Sequence, residues 1–170
     1  MDILIVVDMQ NDFIDGALGT KEAVSIVENC KNKISDFDGE VLFTRDTHFD
    51  YYMNTQEGKN LPVPHCIKGT YGHEICNSLK PFVKHQPIDK ITFGSSELPE
   101  LVKSISNNDV SSITLIGLCT DICVISNAIL LKASFPEAKI KVDSSCCAGV
   151  TPESHNNALS AMKMCQIEII

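Results

Sequence analysis

The 170-residue chain has no tryptophan, no run of basic residues and no long hydrophobic segment. Acidic residues outnumber basic ones by 22 to 14, so the net charge of −8 offers no basic surface, and we expect neither nucleic acid nor a membrane as a partner. No apolar run approaches the roughly 18 residues of a membrane span. Asp2 lies where a signal peptide would carry positive charge, which predicts a cytoplasmic protein.

Paired cysteines of the metal or redox type are also missing. None of the eight cysteines belongs to a CxxC pair, since Cys146 and Cys147 are adjacent and Cys119 and Cys123 lie four apart. This spacing gives little support to a zinc finger or a thioredoxin-like motif. Without a secretory signal, we expect all eight cysteines to be reduced thiols.

The chain does contain a regular alternation of apolar strands and amphipathic helices. Strands are predicted over residues 3–7, 40–44, 88–93, 112–117, 138–143 and 166–170. Helices are predicted after the caps Thr20 and Thr151, after Ser95 or Ser96, over 75–82 and over 121–135. The last helix is expected to bury Ala158, Ala161, Met162 and Cys165. This order predicts a single domain, residues 1–170, with a parallel sheet covered by helices on both faces.

Cys123 is the strongest candidate nucleophile. It follows the predicted strand 112–117 and lies in the first turn of a predicted helix. Free backbone N–H groups and the helix dipole favour negative charge there, so we expect the pKa of its thiol to be lowered. The same N–H groups could hold the oxyanion that forms when a thiolate attacks a carbonyl. The alternative is a buried cysteine that only fills space, the commoner role of a free thiol.

Other reactive side chains follow other predicted strands. Asp8 ends the first strand, Asp46 and His48 follow the second, and Lys90 lies in the third. Ligands bind beyond the carboxyl ends of the strands in open parallel sheets, so these residues are expected to meet the nucleophile. Each also has a plainer alternative, as a turn cap, a surface lysine or a loop histidine. Residues 143–145 are expected to end the fifth strand near the same site.

Together these motifs resemble the nicotinamidase-like cysteine hydrolases of the isochorismatase-like superfamily, over essentially the whole chain. Asp8–Phe13 is similar to the opening motif of the family, and Gly117–Val124 is similar to its nucleophile motif. Lys90 falls where the family has its catalytic lysine. The resemblance implies that Asp8 acts as acid and base, that Lys90 is a stabilising cation and that Cys123 forms a thioester.

The same resemblance implies an α/β fold with three α/β/α layers around a six-stranded parallel, Rossmann-like sheet. It implies a cis peptide bond between Leu118 and Cys119. It also implies an oxyanion hole formed by the backbone N–H groups of Cys119 and Cys123. Members of the family are commonly oligomeric, so we expect a homo-oligomer.

Two stretches are similar to the metal-binding stretches of nicotinamidases: Thr44–His48 and Pro64–Thr70. The ligands implied are Asp46, His48 and His65, a mixed set that suits a divalent metal ion, Zn²⁺ first, with Fe²⁺ or Mn²⁺ as alternatives. The resemblance implies that this metal binds water and the pyridine nitrogen of the substrate rather than the amide. Glu57 is either a fourth ligand or a solvated loop acid.

Nicotinamide, hydrolysed to nicotinate, is the leading substrate, although the chain departs from the family at one place. Nicotinamidases usually have a large aromatic residue shortly before the second metal histidine, where this chain has Leu61-Pro62-Val63-Pro64. Phe13 and Phe93 are therefore the candidates for stacking on the ring, and Leu118 is a third candidate substrate contact. Another small amide, or a carbamoyl or ureido compound, remains an alternative substrate.

Two other classes of function remain open. A metal-binding or thiol redox protein without hydrolytic turnover would use Cys66, Cys119 and Cys123. A binding module could keep the fold without activity. Neither class requires Asp8 or Lys90, so the presence of both residues favours the hydrolase.

Overall fold

A six-stranded parallel sheet forms the centre of the fold in the computed structural model, which describes residues 1–170. Its strands are β1 (Asp2–Val7), β2 (Glu40–Asp46), β3 (Ile88–Lys90), β4 (Ser112–Leu118), β5 (Lys139–Ala148) and β6 (Glu168–Ile169). The spatial order is β3-β2-β1-β4-β5-β6, so the chain builds outward from β1 and then crosses back to β4. Ligands bind at such a reversal of strand order, beyond the carboxyl ends of the strands.

Helices cover both faces of this sheet. They are α1 (Asn11–Ile14), α2 (Lys21–Ser35), α3 (Gln56–Asn60), α4 (Glu97–Ser106), α5 (Ile125–Ser134) and α6 (Pro152–Met164). α2 packs on one face, whereas α4, α5 and α6 pack on the other. The predicted three-layer α/β/α fold with a six-stranded parallel sheet is therefore confirmed. None of the helices has both the length and the apolar character needed to cross a lipid bilayer.

The layers explain why β1 is apolar without interruption. All side chains of residues 3–7 are fully buried. Leu4 and Val6 face α2, while the odd-numbered residues face the opposite helices, so neither side of the strand meets water. Burying one large side chain of this kind adds about 1.5–3 kcal/mol to the free energy of unfolding, compared with leaving it exposed. The central strand thus anchors the edge at which the candidate site lies.

Several elements differ from the prediction. β3 ends at Lys90, three residues early. Residues 75–82 contain only a 3₁₀ turn at Lys80–Phe82, because Pro81 lacks the N–H of a helical ladder and Ile75 instead pairs with Gln10 in an isolated bridge. The predicted threonine caps of α2 and α6 are present, with hydrogen bonds of 3.0 and 3.1 Å. Ala161 and Cys165 were predicted to be buried in the last helix, but both are exposed. The reason is that only a narrow stripe of α6 packs against the sheet.

β5 is longer than predicted, which moves the end of the strand. It continues to Ala148 rather than stopping at Asp143, because an irregularity in its pairing with β4 lets the ladder resume at Cys147. Residues 143–145 therefore lie inside the strand. The Asp143 carboxylate pairs with Lys33 of α2 at 2.9 Å. The prediction that these three residues end the strand beside the site is wrong.

Candidate active site

Three titratable side chains from three strand ends meet in the interior. Asp8 follows β1, Lys90 ends β3 and Cys123 lies in the turn after β4, and each is at most 4 % exposed. Lys90 reaches past the end of β2, so that its Nζ lies 2.6 Å from Asp8 Oδ2 and 3.3 Å from Cys123 Sγ. Thr44 donates a hydrogen bond of 2.7 Å to the other oxygen of Asp8. The structure thus brings together the acid, the cation and the thiol that the sequence singled out.

Burial and charge set the protonation of this cluster. Burial raises the pKa of the Asp8 carboxyl, and the neighbouring Lys90 cation offsets only part of that shift. Burial alone would lower the pKa of Lys90, but the negative charges around it, with Asp8 foremost, outweigh burial and raise that pKa above its usual value. Lys90 is therefore a fixed cation. Asp8 takes up a proton more readily than an ordinary carboxylate, which suits a group that must accept and return one.

The pKa of Cys123 differs from the prediction. Cys123 lies in a π-helical turn, Thr120–Val124, that leads into α5, and not in the first turn of an α-helix. Burial and the charge of Asp8 raise its thiol pKa well above the usual value, and Lys90 opposes them only in part. Loss of hydration outweighs the helix dipole at a site this deep. The Cys123 thiol therefore holds its proton more strongly than an exposed cysteine does, and the adjacent Asp8 carboxylate lies where it can accept that proton.

Two backbone features shape the turn before Cys123. The peptide bond between Leu118 and Cys119 is cis, as the resemblance implied. Gly117 has a φ of 115°, and a Cβ at this position would clash with the backbone carbonyl of Val7 in β1. Only glycine therefore lets β4 lie this close to β1 where the turn begins.

Asn127 of α5 ties the nucleophile turn to the chain that follows Lys90, although no sequence motif marked it. Its fully buried amide donates to Cys123 O at 2.8 Å and to Phe93 O at 3.2 Å. Its oxygen accepts a hydrogen bond from Ser95 N at 2.9 Å. The only signal in the sequence is a single amide on an otherwise apolar helix face.

Replacing Asn127 by alanine is expected to lower the free energy of unfolding by about 1–3 kcal/mol, because buried backbone groups of the turn lose their partners. Urea unfolding measures this change. Asn156→Ala, an exposed asparagine on α6, is the matched control and is expected to have little effect. Equal losses of stability in the two variants would argue against the bridging role of Asn127.

A second cluster consists of possible metal ligands. Asp46, His48, Glu57 and His65 each offer one ligand atom, and these atoms lie within 4.8 Å of one another. The Nε2 atoms of His48 and His65 lie 3.0 and 3.5 Å from Asp46 Oδ2. Glu57 Oε1 lies 3.5 Å from His48 Nε2. Two imidazole nitrogens and two carboxylate oxygens fit Zn²⁺, Fe²⁺ or Mn²⁺, so the residues present fit a divalent metal.

Neighbouring groups orient these ligand atoms. His65 Nδ1 lies 2.7 Å from the carbonyl oxygen of Val63, which directs its Nε2 toward the cluster. The ring of Tyr52 contacts both imidazoles edge-on, at centroid distances of 4.6 and 5.1 Å. Burial would raise the pKa of Asp46, but hydrogen bonds from the two histidines outweigh burial and hold that pKa well below its usual range. Asp46 is therefore an ionised carboxylate at the centre of the cluster.

Comparison with known proteins agrees with this geometry. The family model of the isochorismatase domain matches residues 2–170. The chain belongs to the isochorismatase family. The resemblance derived from the motifs is thereby confirmed, and it extends over the whole fold.

Relatives of this isochorismatase-family chain match nearly its full length. It is 30% identical to an uncharacterized isochorismatase family protein of Bacillus subtilis, over 92% of this chain and 91% of that protein. It is 27% identical to a nicotinamidase/pyrazinamidase of Mycobacterium tuberculosis, over 100% and 98% of the two chains. The crystal structure of the pyrazinamidase of Pyrococcus horikoshii in complex with zinc superposes with a TM-score of 0.81 at 28% identity, over 99% and 98% of the chains.

In this isochorismatase-family protein, both clusters border one pocket of about 590 Å³. Cys119 and Cys123 line it together with Asp46, Glu57 and His65. The three predicted substrate contacts are all part of its wall: Phe13, Phe93 and Leu118. A small aromatic amide in this pocket can therefore approach the thiol while its ring lies near the metal ligands.

Sequence reasoning missed other parts of the pocket wall, which are mostly apolar: Leu18, Ala23, Leu61, Ile91, Ile122, Gly149 and Val150. Leu61 lies in the stretch before His65 where nicotinamidases usually have an aromatic residue. Gly149 and Val150 directly follow β5. A correct end for that strand would have placed both at the same edge of the sheet as Cys123.

Proposed function

We propose that the protein hydrolyses nicotinamide to nicotinate and ammonia through a thioester on Cys123. The observation that carries this proposal is the Asp8–Lys90–Cys123 cluster beside a pocket whose wall also bears a four-residue metal-ligand set. The similarity to the nicotinamidase/pyrazinamidase of Mycobacterium tuberculosis and to the pyrazinamidase of Pyrococcus horikoshii supports a small aromatic amide as the substrate. Ammonia release from nicotinamide by the purified protein is the direct test, and a folded protein that releases none would refute the proposal.

The mechanism follows from the protonation of the cluster. Asp8 takes the proton of the Cys123 thiol, and the fixed charge of Lys90 stabilises the thiolate. The sulfur attacks the amide carbon, and the C–S bond forms as the carbonyl oxygen becomes an oxyanion held by the backbone N–H groups of Cys119 and Cys123. Asp8 returns the proton to the nitrogen, the C–N bond breaks, and ammonia leaves.

The second half of the reaction releases the acid. Asp8, again a carboxylate, takes a proton from water, whose oxygen attacks the thioester carbon. The C–S bond breaks, the sulfur regains the proton, and nicotinate leaves the pocket. Lys90 serves both halves, because its charge lies within 3.3 Å of the sulfur and 2.6 Å of the Asp8 carboxylate.

Asp46, His48, Glu57 and His65 would hold the divalent metal, which we propose to be Zn²⁺, with Fe²⁺ or Mn²⁺ as the alternatives. The bound metal would supply a Lewis acid for the lone pair of the pyridine nitrogen and so orient the ring. The protein contributes the apolar faces of Phe13, Phe93 and Leu118 to the same task. Elemental analysis of protein purified without a histidine tag identifies the ion.

Benzamide is expected to be hydrolysed with a kcat/KM at least about 10²-fold below that of nicotinamide, because it has no ring nitrogen for the metal. Removing the metal with a chelator is expected to abolish this preference along with most of the activity on nicotinamide, and adding Zn²⁺ back should restore both. Ammonia release measures the rate for each amide in each state of the protein. Equal rates for the two amides in metal-loaded protein would favour a non-pyridine amide, or a carbamoyl or ureido compound, as the substrate.

We also propose that residues 1–170 form a single domain that works in the cytoplasm as a homo-oligomer. Continuous sheet pairing from β1 to β6 supports the single domain. The eight cysteines, all free thiols, support a reducing compartment. Light scattering coupled to size-exclusion chromatography measures the oligomeric state, and a monomer at micromolar concentration would refute that part of the proposal.

A further inference from the structure

The short segment that follows Asp8, at the start of α1, also holds the backbone of the proposed metal ligands. The side chain of Gln10 is fully buried and pairs with both backbone groups of Asp46. Its Nε2 donates to Asp46 O at 2.8 Å, and its Oε1 accepts from Asp46 N at 2.7 Å. The same Nε2 also donates to His73 O at 2.9 Å. One amide therefore fixes the peptide groups on both sides of the central ligand.

Asp12, two residues further along, holds the other half of the cluster. Its Oδ2 accepts a hydrogen bond from Cys66 N at 2.7 Å. Cys66 has a φ of 46°, a left-handed conformation that a non-glycine residue adopts only when its surroundings hold it there. It directly follows His65, and its carbonyl oxygen accepts a hydrogen bond from His48 N at 3.0 Å. Asp12 thus acts on a residue linked to both ligand histidines.

We propose that Gln10 and Asp12 are positioning residues for the metal ligands. This inference rests on the metal site of the proposed function. The four ligands come from three separate stretches of chain, so their spacing depends on contacts that join those stretches. Gln10 and Asp12 supply such contacts from one short segment, the N-cap and first turn of α1, and neither is among the four ligands. The segment that begins with the catalytic acid therefore sets the geometry of the metal site as well.

Metal affinity tests this role without reference to activity. Gln10→Ala and Asp12→Ala are expected to bind Zn²⁺ about 10–100-fold more weakly, the loss typical when groups that orient metal ligands are removed. Competition with a chromogenic chelator measures the affinity. Asn11→Ala is the matched control, because Asn11 lies between the two and is buried, but its amide donates to Tyr71 O at 2.8 Å instead. Its Zn²⁺ affinity is expected to stay near that of the unmodified protein.

Conservative variants separate positioning from a general loss of structure. Asp12→Asn keeps an oxygen for Cys66 N and is expected to retain Zn²⁺ affinity. Gln10→Glu keeps the size of the side chain but places a carboxylate oxygen against the carbonyls of Asp46 and His73. Its Zn²⁺ affinity is therefore expected to fall as far as that of the alanine variant. Gln10→Met preserves the buried volume and tests the same hydrogen bonds if the alanine variant does not fold. The visible absorption of Co²⁺-loaded protein reports the ligand geometry in each.

Equal Zn²⁺ affinities in the Gln10, Asp12 and Asn11 alanine variants would overturn the proposal. So would an Asp12→Asn variant that loses as much affinity as Asp12→Ala. These results are distinct from a failure of the proposed substrate, which would appear as normal Zn²⁺ affinity without ammonia release from nicotinamide. A protein with its natural residues that binds no Zn²⁺ would overturn both the positioning role and the metal site on which it rests.

Discussion

Replacing Cys123 by alanine is expected to reduce ammonia release from nicotinamide at least about 10⁴-fold, while the fold and the Zn²⁺ affinity are retained. The reason is that no other cysteine lies between a base and a fixed cation: only Cys123 has Lys90 Nζ at 3.3 Å and Asp8 beside it. The alanine fits the space of the thiol, so circular dichroism and the melting temperature should change little. The ammonia assay with saturating nicotinamide measures the effect.

Cys165→Ala is the control for this experiment. Cys165 is an exposed free thiol at the end of α6, and its removal is expected to leave turnover unchanged. Rapid quenching of the unmodified protein with nicotinamide should also trap a nicotinoyl group on the peptide that contains Cys123, which mass spectrometry detects. A Cys123→Ala variant that turns over at near the normal rate would eliminate the thioester mechanism.

The Asp8→Asn substitution is expected to lower kcat by about 10²–10⁴-fold, the usual contribution of a general acid and base. Asparagine keeps the shape and can still accept the hydrogen bond from Thr44, but it cannot take the proton of a thiol whose pKa lies well above its usual value. Steady-state kinetics with nicotinamide measure the loss. Normal kcat with an unchanged KM would show that another group removes the proton.

A double-variant cycle tests the buried pair itself. Lys90→Met leaves the Asp8 carboxylate unpaired in the interior and is expected to cost about 3–5 kcal/mol of unfolding free energy. Combining it with Asp8→Asn removes both charges, so the double variant is expected to be less destabilised than the sum of the single variants. Additive losses would indicate that the 2.6 Å contact between the two side chains does not couple them energetically.

The sequence predicted those parts of the site that depend on the order of elements and on local motifs. Parallel strands align their carboxyl ends, so residues after β1, β2, β3 and β4 had to converge once the βα alternation was recognised. This argument predicted that Asp8, Asp46, His48, Lys90 and Cys123 would lie close together, as the structure has them, and the resemblance added His65. Where the local pattern was ambiguous, as at Pro81 and in β5, element boundaries were wrong.

Residues that act through distant backbone groups were not predictable in this way. Gln10 and Asp12 lie within the motif Asp8–Phe13 but were given no role there, and Asn127 lies in no motif. Each of the three makes a hydrogen bond that spans at least 32 positions of the chain. No periodicity or spacing encodes such pairings. The contacts of Gln10 and Asp12 form only when the long segment between β2 and β3 folds against the chain after β1, and those of Asn127 only when the chain after β3 packs against α5.

By itself, the sequence determined the fold class and the chemical types at the strand ends, because these follow from short-range patterns and from the geometry of parallel sheets. The family followed from the resemblance of its motifs. Only the tertiary structure decided the direction in which the pKa of Cys123 is shifted. Its position near a helix start favoured a lowered pKa, whereas burial and the nearby Asp8 raise it. Hydration and the surrounding charges govern a pKa, and both are known only when the chain around the residue has been placed.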